Sequence, residues 1–185
     1  MRYAALFLAL MLAACGRTPY HMTDISGAVP RLNFDLTRAS DGKSVDGASF
    51  RGHAVALYFG YTNCPDICPA TLANLTSMMN KVGDRNFRVL FVTVDPNRDT
   101  PSILNQYVHA FSPQMVGLRG TPNALADLAR RYRVAYSVDP GPPYTVNHSS
   151  AVFFFDAKGR ARLVTTDTSD PDAMAEDIER MLKTS

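Results

Sequence analysis

The stretch YFGYTNCPDICPATL, residues 58–72, holds two cysteines four positions apart, Cys64 and Cys68, each followed by a proline. An apolar run precedes them and a helical pattern follows. In α/β folds, reactive groups gather at the carboxyl ends of strands. A helix N-terminus also lowers a nearby thiol pKa by favouring the thiolate. The position therefore makes thiolates, which serve both as nucleophiles and as metal ligands. On a regular helix, residues i and i+4 lie about 5–6 Å apart at Cβ. Pro69 disfavours the α conformation at Cys68, so an irregular turn is expected between the two cysteines. Either geometry can gather the sulfurs around one ion or close them into a disulfide. Thioredoxin-type redox pairs more often read C-x-x-C, and the wider loop here is compatible with holding a metal.

Two sulfurs alone make a poor closed zinc site, because zinc usually takes four ligands. Soft thiolates suit Cu(I), which directs the search to a third ligand among the four histidines. His21 lies in the N-terminal segment, His53 in a turn before a strand, and His109 inside a helix pattern; these three read as structural or solvated. His148 follows GPPYTVN and precedes the strand SAVFFF. By spacing alone it is as readily structural as functional, although loop residues beside a strand end often carry function. Met78 and Met79 resemble copper ligands in type, but their helical spacing assigns them to the core.

The chain has 185 residues, 46% hydrophobic and 19% charged, with a formal net charge of +2. That is one ordinary domain with enough apolar surface for a core. No concentrated basic patch stands out, which argues against a nucleic-acid partner. After Arg2 comes YAALFLALMLAAC, too short for a bilayer span of about 20 residues but suited to a signal peptide. Its end, Leu12-Ala13-Ala14-Cys15, resembles the bacterial lipobox, in which cleavage precedes a lipidated cysteine. An ordinary signal peptide with an incidental cysteine is the alternative. Lipid on Cys15 accounts for the odd count of three cysteines and leaves Cys64 and Cys68 as the one possible intramolecular disulfide, in an oxidising compartment. The expected division is a signal peptide over 1–14, a lipidated cysteine and tether over 15–30, and one domain over 31–185.

Within that domain, LNFDL alternates as a half-buried strand, and turn signals in DGKSVDGASFRG surround a second strand or hairpin. HAVALYFGY and FRVLFVTVD read as buried central strands. From Pro69, the residues Leu72, Leu75, Met78, Met79 and Val82 recur at helical spacing until Gly83. Thr100-Pro101 and Thr121-Pro122 mark two further helix starts, with the short strand MVGLRG between those helices. A hairpin about Asp156–Gly159 and a closing amphipathic helix complete the pattern. Strands and helices in this order predict an α/β domain with a mixed central sheet flanked by helices.

GYTNCPDICPATL, VLFVTVDPNRDTP and YTVNHSSAVFFFD, in that order and at these separations, resemble the SCO/SenC family over about residues 31–184. The C-P-x-x-C-P block is highly specific, and the D-P-x-x-D-T-P block and the late histidine strengthen the likeness. The resemblance implies a thioredoxin-like fold with an inserted β-hairpin. It implies one copper ion, Cu(I) or Cu(II), held by Cys64, Cys68 and His148, with Asp95 orienting the site or moving protons. It also implies a role in assembling the copper centre of cytochrome c oxidase, by delivering copper, reducing the target's cysteines, or both. The partners would then be the oxidase's copper-site subunit and other periplasmic copper carriers, met by an exported, membrane-anchored domain facing the periplasm. Asp99 reads as part of the helix cap at Thr100. Asn147 stands where many relatives have Asp, removing a charge beside His148. Three chemistries remain open: a copper chaperone, a thiol–disulfide oxidoreductase using a Cys64–Cys68 disulfide without a metal, and a thiol peroxidase. His148 separates the first from the others, because thiol exchange does not require it.

Overall fold

The six-residue run VALYFG has no polar face, so a strand built from it must be covered on both sides. The computed structural model describes residues 19–184. It places this run, β4 (Val55–Gly60), inside an eight-stranded sheet with all six residues buried. Beside it lie β5 (Arg88–Thr93) and then β6 (Met115–Arg119), both parallel to it, and β9 (Val152–Phe155) on the other side, antiparallel. β10 (Ala161–Thr165) and the short β1 (Thr23–Asp24) extend the sheet at one edge. β2 (Asp35–Arg38) and β3 (Ser44–Asp46) extend it at the other. The full order is β1-β10-β9-β4-β5-β6-β2-β3.

Among the described residues, four α-helices cover the sheet: α1 (Ile67–Val82), α2 (Pro101–Phe111), α3 (Pro122–Tyr132) and α4 (Pro171–Lys183). α1 buries Leu72, Leu75, Met78 and Met79, each contributing about 1.5–3 kcal/mol by leaving water. The methionine pair is therefore core, as its spacing predicts. Gly83 ends α1 in the left-handed conformation, φ 67°, which glycine adopts without a Cβ penalty. Thr100 and Thr121 cap α2 and α3 by accepting the backbone N–H groups of Ile103 and Ala124. α1 packs on α4, and Tyr132 of α3 sets its ring against Phe153 and Phe155 of β9.

Strands β5-β4-β9-β10 with α1 and α4 form a thioredoxin-like nucleus, and α2, β6 and α3 are inserted between β5 and β9. So is a separate two-stranded hairpin, β7 (Tyr136–Asp139) with β8 (Thr145–His148), which pairs with no strand of the main sheet. That hairpin and β1 carry no apolar run that would announce them. Of the segment 15–30, residues from Pro19 onward lie against the domain. β1 joins the sheet edge, Met22 is buried, and its N–H donates to Asp177 Oδ2 at 2.7 Å. The signal peptide expected over 1–14 and the lipidation expected at Cys15 fall outside the described residues. Among those residues, no helix is long and apolar enough to cross a membrane.

Candidate metal centre

Gly60 ends β4 under the cysteine loop. A Cβ there would stand 2.7 Å from Phe91 Cε2 and 3.0 Å from Cys68 Sγ. The missing side chain is the space into which the Cys68 sulfur fits. α1 begins at Ile67, so Cys68 sits in its first turn rather than in the irregular turn expected from Pro69. First-turn N–H groups have no intrahelical partner, so a proline there forfeits no hydrogen bond. Asp66, at the cap position, makes no side-chain cap bond. The Cys68 N–H instead donates to Cys64 Sγ at 3.3 Å, so one cysteine caps the helix that carries the other.

The two thiols differ in environment. Cys68 is buried, whereas Cys64 is partly exposed. Burial pushes the Cys68 thiol up to about 12, against the hydrogen bond it shares with the Tyr61 backbone. Burial also opposes ionisation of Cys64, but the backbone and thiol of Cys68, the backbone of Asp66 and the Tyr61 hydroxyl more than offset it, and its pKa is lowered. The thiolate preference expected of a helix N-terminus therefore settles on Cys64 alone.

His148, the last residue of β8, brings its Nε2 to 3.2 Å from Cys68 Sγ, across 80 positions of sequence. Its Nδ1 lies 2.9 Å from the Ser149 carbonyl. A carbonyl can only accept, so Nδ1 carries the proton and Nε2 turns its lone pair toward the sulfur. Burial lowers the His148 pKa, which keeps the ring neutral. Tyr58 and Tyr61 meet the ring edge-on, with centroids 6.0 and 5.8 Å away. The ligand atoms of Cys64, Cys68 and His148 all lie within 4.8 Å of one another. Two sulfurs and one imidazole in this compass suit a soft or borderline ion that accepts few ligands.

The other histidines stay apart from this group. His21 meets Glu176, His53 meets the Asn86 carbonyl, and His109 bonds back to Asn105 on its own helix. Asp95 is buried, and its carboxylate accepts the Tyr144 hydroxyl of the hairpin at 2.7 Å and the Arg98 Nε–H. Asp99 does not cap α2, contrary to expectation; Thr100 does. The Asp99 carboxylate is buried and accepts Thr62 N–H at 3.1 Å, Thr62 Oγ1–H at 2.6 Å and Thr93 Oγ1–H at 2.5 Å. It ties the start of the cysteine loop to β5. Asn147, exposed, alternates with His148 along β8 and points the other way. Tyr61, Thr62, Arg98 and Tyr144 carried no local signal of their roles, although all four lie within the three blocks that carry the family resemblance.

A thioredoxin-like domain presenting two thiols and an imidazole at a strand's carboxyl end defines a class: thiol proteins built for a soft metal, for disulfide exchange, or for both. The family model SCO1/SenC matches residues 26–183, and the chain belongs to that family. The mitochondrial SCO2 homologue of Bos taurus is 41% identical over 119 residues, 60% of this chain and 45% of that protein. An SCO2-like protein of Rickettsia prowazekii is 33% identical over 126 residues, 65% of this chain and 62% of that one. The chain thus spans about half the length of the curated relatives it matches. Among solved structures, Arabidopsis thaliana ScoI with copper bound superposes with a TM-score of 0.77 at 31% identity, covering 84% of this chain and 99% of that one. Apo Sco1 of Thermus thermophilus gives 0.79 at 30% identity, with 90% and 99% covered.

Proposed function

We propose that the protein is a membrane-tethered copper chaperone. Cys64, Cys68 and His148 bind one copper ion as cargo, and the loaded domain assists assembly of the copper centre of cytochrome c oxidase. The observation that carries this reading is the His148 Nε2–Cys68 Sγ approach of 3.2 Å, which disulfide exchange alone does not need. The oxidase, with periplasmic copper carriers as further partners, is the recipient that the family resemblance implies. Lipid on Cys15 would hold the domain at the periplasmic face of a membrane.

The test is copper titration of the reduced fragment lacking residues 1–15, beside its His148→Ala variant. One tight equivalent in the parent, weakened in the variant, is expected. Equal affinity in both would reject the three-ligand site.

A second reading rests on the unequal thiols. Cys64, partly exposed and easier to ionise, would attack a partner disulfide, and Cys68 would then displace the partner's second sulfur. The pair loses two electrons and two protons as Cys64–Cys68 forms, and the partner gains them as two thiols. The disulfide removes both sulfur ligands, so oxidation would switch copper binding off. Rapid exchange with a protein dithiol is expected on this reading, and a disulfide inert to such partners would exclude it.

A further inference from the structure

We infer that Tyr144, Asp95 and Arg98 form a clasp that positions His148 and so sets how long copper is held. The inference rests on the three-ligand copper reading above. β7–β8 is a peninsula: it pairs only with itself, none of its eight strand residues is fully buried, and of its apolar side chains Tyr136 and Val146 rest half-buried against the core. Behind it runs a groove of about 620 Å³, with Tyr136 and Val138 of β7 on one wall and Leu125 and Ala129 of α3 on another. An element with few buried contacts opens at low free-energy cost.

The hairpin is fastened at its two ends. At the base, Ser149 N–H donates to the Ala135 carbonyl at 2.9 Å. At the tip, the Tyr144 hydroxyl donates to the buried Asp95 carboxylate at 2.7 Å. Arg98 completes the tip by donating to the same carboxylate while its guanidinium stacks 3.9 Å over the Tyr144 ring. That guanidinium also lies 5.8 Å from the Tyr61 ring, and Tyr61 supplies the carbonyl that accepts the Cys64 N–H. One cation thus touches both the cysteine loop and the histidine hairpin. With the clasp shut, His148 faces the sulfurs. With it open, β8 is held only from the base, where His148 lies opposite Tyr136, so the imidazole is aimed less firmly at the sulfurs and copper passes to an acceptor more readily.

Tyr144→Phe removes only a hydroxyl from a half-buried side chain, so the fold should survive it. A hydrogen bond to a carboxylate contributes about 1.5–3 kcal/mol, which sets the expected effects at roughly tenfold or more. Amide hydrogen exchange over 136–148 in the reduced, metal-free protein should quicken by about that factor, with other amides unchanged. Release of Cu(I) from the loaded protein to a soluble chelator should quicken similarly. In a His148→Ala background the same change should add nothing, because the clasp acts through His148. Parent-like exchange in the Tyr144→Phe protein would overturn the inference. So would faster release in both backgrounds. A parent that binds no copper would sink the chaperone reading, while the exchange measurement would still decide whether the clasp exists.

Discussion

At the scale of single residues, the site depends on a side chain that is missing and on one that cannot be replaced. Gly60 leaves the space that Cys68 Sγ and the Phe91 ring occupy. Gly60→Ala should force both to move, costing about 1–3 kcal/mol as overpacking does. Urea unfolding should show the lower midpoint, and copper affinity should fall with it. An unchanged midpoint would mean that Phe91 yields freely. Asp99 is the second case. Its carboxylate holds three donors on two elements, and Asp99→Ala strands all three. At about 1.5 kcal/mol each, the low end for a carboxylate acceptor, the loss should reach about 4.5 kcal/mol, whereas Thr62→Val should cost about 1.5 kcal/mol. Comparing the two in the same denaturant series tests whether Asp99 or the threonine hydroxyl carries the loop.

At the scale of elements, two hairpins contrast. β9–β10 is woven into the sheet, and its turn is held from within by buried Asp156. Burial alone would raise the Asp156 pKa. The Arg160 backbone and guanidinium, with a contribution from Arg162, more than offset that and hold it below the usual carboxylate range. A carboxylate with a lowered folded-state pKa stabilises the fold fully above its unfolded value, about 3.9. That stabilisation is lost as pH falls through the lower, folded value. Asp156→Asn should therefore be less stable than the parent at pH 7, and the gap should close below about pH 4. Thermal unfolding between pH 7 and pH 2 measures it, and a gap that persists at pH 2 would remove the argument. β7–β8 is the opposite case, fastened at its ends and hollow behind, which suits an element that delivers one ligand.

At the scale of the whole molecule, the sheet separates its two ends. The sulfurs and His148 gather at the carboxyl end of β4. The described chain begins at Pro19, whose carbonyl accepts from Arg180 near the end of α4. A cavity of about 810 Å³ there is lined by Pro19, Thr184 and the first residues of β10, and those residues lie beside the amino end of β4 through β9. Only residues 16–18 separate Cys15 from Pro19, a reach of at most about 14 Å. A lipid on Cys15, as proposed, would then set the β10 end toward the bilayer and turn the copper site away from it. On vesicles carrying a headgroup quencher, a dye attached at Ser26 should be quenched and one at Ile67, beside the cysteines, should not. Equal quenching would show that the domain tumbles freely on its tether.

The sequence by itself determined the ingredients: a buried strand, two cysteines before a helix, two threonine–proline helix starts and a histidine before the last hairpin. These are local patterns, because hydrophobic period, proline geometry and capping act within a few residues. Tertiary structure alone decided that Cys68 enters the helix while Cys64 caps it, because the first turn leaves donors in need of a partner. It alone turned Asp99 from a helix cap into the anchor of the cysteine loop, and Asp95 into the fastening of a hairpin. Those partners lie 37 and 49 positions away. Pairings at such distances are chosen by burial and by the need to satisfy buried carboxylates, which become defined only once the sheet has closed. The family resemblance implies an inserted hairpin, but the strands β7 and β8 are not legible in residues 136–148 themselves. The hairpin's inward face is only half-buried, with Tyr136, Val138 and Val146 the apolar residues on it, too few to set a legible hydrophobic period, and its position comes from what it clasps.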